Sequence, residues 1–116
     1  MRVLLDHDVP HGLRPRFPEE CEVVTAQYRG WSDYDDDELL AAAEGTFAVL
    51  LILDTNLVYQ QDVSSWEIGV VIIDVHPIVP SHLDRHMEKV RSALSIAAED
   101  LGTVVVREDG IDPLSP

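Results

Sequence analysis

Lysine occurs once in the 116 residues, at Lys89, and arginine supplies the rest of a basic complement of 8 against 22 acidic side chains. The resulting net charge of −14 excludes binding of nucleic acid by broad phosphate neutralisation, which needs clustered Lys and Arg. A field of that sign favours metal cations and basic protein partners instead. Cysteine is equally scarce. With Cys21 alone, an internal disulfide is impossible and a cysteine-based zinc cluster would need a second chain; Cys21 reads as a small buried hydrophobe at a strand start. Long apolar runs are missing too. The longest uncharged apolar stretch, Phe47 to Leu53, falls well short of a membrane-spanning helix. Met1-Arg2 leads straight into strand-like sequence without a signal-peptide pattern, so the expectation is a cytoplasmic protein with no membrane association. Finally, there is no glycine-rich phosphate loop, and one Cys with scattered Ser gives no nucleophilic triad.

What is present is apolar sequence, 46% of the chain, enough for one core and too little for two domains. The expectation is a single domain over residues 1–107 and a flexible C-terminal tail at 108–116. Arg2 to Leu5 is a short apolar run ending at Asp6, and Pro10 opens a helical turn that Pro15 and Pro18 keep short. Glu22 to Thr25 reads as a strand and Gly30 as a loop breaker. From Asp36 to Glu44, Leu39, Leu40 and Ala43 form a stripe at helical spacing behind an acidic first turn, where the helix dipole favours carboxylates. Ala48 to Leu53 and Ile68 to Ile73 are continuous apolar runs, as in parallel strands covered on both faces, with Gly69 at a close-packed position. A long amphipathic segment, Ser81 to Glu99, precedes a last strand at Thr103 to Arg107. Strands alternating with helices predict an α/β fold with a mainly parallel sheet of four to five strands between helical layers.

In such sheets ligands collect beyond the carboxyl ends of the strands, and three runs deliver acids there: Asp6 with Asp8, Asp54, and Asp74. The helix preceding the central strand begins in Asp33-Tyr-Asp-Asp-Asp-Glu38, so its first turn leans toward the same edge. Oxygen donors of this kind suit a hard cation, Mg²⁺ or Mn²⁺, able to activate water and neutralise a phosphodiester transition state. Most of Asp33 to Asp37 reads more simply as helix-capping and surface charge. Asp6 and Asp54 differ, because each follows a rigid apolar strand. The pairs His7/His11 and His82/His86 are four apart, yet neither has the glutamate directly after its first histidine that marks a zinc-protease helix, so exposed or hydrogen-bonded histidines are expected.

The motifs Val3-Leu-Leu-Asp6 with Pro10, Gly30-Trp31, Glu38-Leu-Leu with Ala42 and Ala43, Asp54-Thr-Asn56-Leu57 and Tyr59-Gln60-Gln61 together resemble the PIN-like superfamily, in particular a short bacterial branch proposed to contain ribonuclease toxins paired with small antitoxins. The similarity runs from Arg2 to about Ile73 and, more weakly, through the last helix and strand. The resemblance implies a three-layer α/β/α sandwich and Mg²⁺- or Mn²⁺-dependent hydrolysis of RNA. On matching positions Asp6 and Asp54 would be metal ligands, Asp36 or Glu38 the acid from the intervening helix, and Asn56 a polar partner to metal or substrate, with Asp8 and Asp74 nearby. It also implies an antitoxin partner and a homodimer. Tyr59, Gln60 and Gln61 are read as loop packing. Ile52 stands where such relatives commonly carry Thr, which keeps a non-catalytic binding protein as the alternative. A receiver-like phosphoacceptor is the other rival; it needs a lysine at a later strand end, and Lys89 falls in the predicted last helix.

Overall fold

The computed structural model describes residues 1–53 and 66–114. Asp54, Asn56, Tyr59, Gln60 and Gln61 lie outside the described residues, as do the side chains of His11 and Asp36. One sheet organises the chain. Its strands are β1 (Arg2–Leu5), β2 (Glu22–Thr25), β3 (Val49–Ile52), β4 (Gly69–Asp74), β5 (Thr103–Arg107) and β6 (Gly110–Leu114), in the order β2-β1-β3-β4-β5-β6. The first five pair in parallel, with Leu5 opposite both Thr25 and Leu51, Leu51 opposite Val71, and Val71 opposite Val104. Only β6 runs antiparallel, against β5.

The strands are apolar on both faces because both faces are buried. Val3 and Leu5, Val49 and Leu51, Val71 and Ile73, and Val104 and Val106 point one way, into a cluster with Met87, Val90, Ala93, Leu94 and Ala97. Leu4, Leu50, Ile52, Val70, Ile72 and Val105 point the other way, against Leu39, Leu40, Ala43 and Phe47. The two-residue period of a strand thus divides one continuous hydrophobic run between two cores.

The helices follow from local sequence. Pro10 caps a 3₁₀ turn at His11–Arg16 that contains Pro15, as short as the prolines dictate. Helix α1 (Asp36–Ala43) starts at the N-cap Asp35, whose carboxylate accepts the Glu38 N–H at 2.8 Å while Glu38 Oε1 accepts the Asp35 N–H at 3.2 Å. This reciprocal box satisfies two donors that the helix cannot satisfy itself. The amphipathic segment after β4 forms α2 (Pro80–Leu83), a 3₁₀ turn at Asp84–His86, and α3 (Met87–Asp100). At Gly69 a Cβ would lie 2.4 Å from the Ala97 carbonyl oxygen, so glycine here is what lets α3 approach β4.

Residues 108–114, placed by the sequence in a flexible tail over 108–116, depart from that expectation. The chain turns through Glu108 and Asp109 and returns as β6, with Gly110 opposite Arg107 and Leu114 opposite Thr103. Among the described residues the strand count is therefore six rather than four to five. Pro113 is tolerated because β6 is an edge strand, where one missing N–H costs no ladder bond on the open side. Among the described residues, no helix is long and apolar enough to cross a membrane.

Candidate functional site at the carboxyl edge of the sheet

Parallel pairing delivers the ends of β1, β3, β4 and β5 to one edge, and the order β2-β1-β3-β4-β5 reverses direction at β1/β3. The crevice outside such a switch point is where open α/β sheets bind ligands. Asp6 occupies it. Its backbone N–H donates to the Leu51 carbonyl of β3 at 3.0 Å, which fixes it to the central strand, and its carbonyl accepts the Val9 N–H at 3.0 Å. Asp6 is only 5% exposed, unusual for a carboxylate without full compensation. One oxygen, Oδ1, accepts the His7 N–H at 2.7 Å and lies 2.9 Å from His7 Nδ1. His7 Nε2 is 3.4 Å from Asp8 Oδ1, so the imidazole sits between a buried and an exposed acid.

Gln27, which the sequence gave no reason to single out, joins this group. From the turn after β2, its Nε2 donates to the His7 carbonyl at 3.0 Å, while its Oε1 is buried and has no hydrogen-bond partner among the described residues. An unpartnered buried oxygen costs on the order of 1–3 kcal/mol, and here it lies beside the loop that carries Asp6.

The other acids predicted for the edge are placed differently. Glu38 is exposed, and the capping box accounts for its position. Asp74 has a cation of its own: Arg107, its register partner on β5, donates through Nη1 to Asp74 Oδ2 at 2.9 Å, and His76 Nε2 is 3.3 Å from Oδ1. Arg107 also lies 3.6 Å from Asp112 on β6. This ion-pair chain ties β4, β5 and β6 together and neutralises Asp74 locally. Asp6, Glu38 and Asp74 are not gathered into one group among the described residues.

The histidine pair His82/His86 departs from expectation. His82 is hydrogen-bonded, its Nε2 lying 3.3 Å from Glu108 Oε1, but His86 is buried and its Nδ1 has no partner among the described residues. Burial, reinforced by the charge of Lys89, pushes the His86 imidazole below its ordinary pKa, while the nearby Glu108 carboxylate opposes the shift. The Glu108 carboxyl is held below its ordinary value chiefly by the hydrogen bond from His82. Lys89 reaches back from α3 to the end of β5, donating to the carbonyls of Arg107, at 2.9 Å, and Glu108. Glu108 lies 26 positions from His82; no local pattern announces such a contact.

Compared with protein-family profiles, curated proteins and solved structures, the chain matches none of them.

Proposed function

We propose that the chain is a divalent-metal-dependent ribonuclease of the PIN-like type, hydrolysing RNA phosphodiester bonds at the β1/β3 switch point. One observation carries the reading: Asp6, a carboxylate 5% exposed, is pinned at the end of the first strand in the crevice where this class of sheet takes ligands. The two apolar clusters are compatible with the three-layer α/β/α arrangement of that superfamily. Oxygen donors fit a hard cation, and Gln27, held to the His7 carbonyl, brings a neutral amide to the loop that carries Asp6. Asp6 and Asp54 would hold Mg²⁺ or Mn²⁺, Asp36 or Glu38 would contribute from α1, and Asn56 and Asp8 would act toward substrate. The ion, when bound, supplies charge neutralisation at the phosphodiester and acidifies a water ligand. His7, within reach of both Asp6 and Asp8, is positioned to hold or pass a proton at its Nε2. The net charge of −14 repels free RNA, so the metal supplies the local positive charge that the protein lacks, and a small basic antitoxin is the complementary protein partner.

The strand order favours one second reading, because the order 2-1-3-4-5 is also that of receiver domains. Against it, the only lysine comes from α3 and its ammonium is committed to two backbone carbonyls. The test uses labelled RNA with Mg²⁺ or Mn²⁺ and the purified protein beside Asp6→Asn and Asp54→Asn. The expected result is cleavage by the wild type and none by either variant. Equal cleavage by the Asp6 variant sinks the mechanism. A wild type that binds the ion without cutting indicates a PIN-like binding protein, and a stable acyl phosphate at Asp54 after treatment with a small phosphodonor indicates the receiver.

A further inference from the structure

A second constellation lies on the β5 side of the same edge, three strand spacings or about 14 Å from β1, and is independent of the ribonuclease reading. His82 lies in α2 and His86 closes the 3₁₀ turn that follows it, and their imidazole centroids are 5.2 Å apart. Glu108, in the turn between β5 and β6, meets them from the sheet. One donor atom from each of the three falls within 4.8 Å of the other two, and among the described residues no other group of three or more His, Cys, Asp or Glu side chains does so.

The second, independent observation is His86. It is only 9% exposed, and its Nδ1 is buried with no partner among the described residues. A buried imidazole nitrogen without a hydrogen bond is costly unless something else satisfies it. The geometry is close to that of coordination. Metal–ligand bonds of about 2.0–2.1 Å in a tetrahedron separate the ligand atoms by roughly 3.3 Å, and His82 Nε2 and Glu108 Oε1 already stand 3.3 Å apart. Glu108, with 58% of its side chain exposed, is free to close the remaining distance to His86. The cations Lys89 and Arg85 oppose a metal ion here; the first is held by the carbonyls of Arg107 and Glu108, and the Glu108 carboxylate offsets one charge.

We propose that His82, His86 and Glu108 bind a borderline divalent transition-metal ion, Zn²⁺ in the first instance. Two imidazoles and one carboxylate select such an ion over Mg²⁺ or Ca²⁺. Three protein ligands leave a fourth position for water or an external ligand, the composition of catalytic rather than structural zinc sites. The ion would also clamp the turn after β5 to the segment preceding α3.

The experiment titrates metal-free protein with Zn²⁺ against a chromophoric chelator, and records the visible spectrum with Co²⁺ as a reporter of geometry. The wild type is expected to take up one Zn²⁺ per chain and to give the intense d–d bands of four-coordinate Co²⁺. His82→Ala and Glu108→Gln, both at partly exposed positions, should retain the wild-type circular dichroism and lose at least about tenfold in affinity. His86→Ala should lose binding as well, but removes a buried side chain, so the two exposed variants decide. A folded wild type that does not compete with the chelator, or folded variants that keep its affinity, would overturn the proposal.

Discussion

Adding one methyl group at Gly69 tests whether the contact between β4 and α3 is as tight as the geometry indicates. In Gly69→Ala the new Cβ would stand 2.4 Å from the Ala97 carbonyl oxygen and 2.6 Å from its carbon, where real Cβ atoms keep at least 3.0 Å. The obstacle is helix backbone, so no side-chain rotation relieves it; α3 must move by 0.6 Å or more (3.0 − 2.4), carrying Val90, Ala93 and Leu94 out of register with the sheet. Overpacking of this kind costs about 1–3 kcal/mol. Reduced freedom of the unfolded chain returns about 0.4–1 kcal/mol. The net expectation is a destabilisation of about 1–2 kcal/mol, read as a lower urea midpoint at unchanged slope and a Tm lower by about 4 °C per kcal/mol. Gly102→Ala is the control, because its nearest neighbour is 3.9 Å away, and it should not destabilise. Ala97→Gly should fail to rescue Gly69→Ala, since the colliding atoms are main chain. A neutral Gly69→Ala, or rescue by Ala97→Gly, refutes the reasoning.

Removing the N-cap in Asp35→Ala should cost about 1 kcal/mol, because one amide of α1 loses its acceptor and the return bond from Glu38 loses its counterpart; equilibrium unfolding measures it, and an unchanged midpoint would show that the box contributes nothing. Cys21, half-buried at the start of β2, has its thiol pushed above the ordinary value, chiefly by burial. The folded state therefore keeps its proton longer than the unfolded chain, so any stability from this group is complete below the ordinary thiol pKa and is lost as pH rises through the folded value. A disulfide reagent should accordingly label Cys21 slowly in the folded protein at neutral pH and faster in urea; equal rates in both states would contradict this.

How far the fold could be read from sequence depended on how locally each signal was written. Val49 to Ile52 and Val70 to Ile73 announce buried parallel strands because every residue faces a core, and Gly69 stands out as a position with no room for a side chain. Leu39, Leu40 and Ala43 gave α1 by spacing alone. The hairpin strand β6 was not legible: Gly-Ile-Asp-Pro-Leu lacks alternation and contains proline, and it becomes a strand only because β5 offers an edge whose far side makes no demand on Pro113. At the site, Asp6 was legible because it interrupts an apolar run. The pairing of Asp74 with Arg107 was not, since it depends on the register of β4 and β5. Glu108 is separated from His82 and His86 by the whole of α3 and β5, so its meeting with them is a property of how α3 docks.

Because β6 reverses the direction of β5, Leu114 finishes beside Thr103, at the same edge of the sheet from which Arg2 starts β1. Asp6, His86 and Glu108 belong to the opposite edge. A fluorophore or surface tether attached at Met1 or at Leu114 is thus carried at the opposite edge of the sheet from both constellations, and leaves the end of β1 and the histidine pair uncovered.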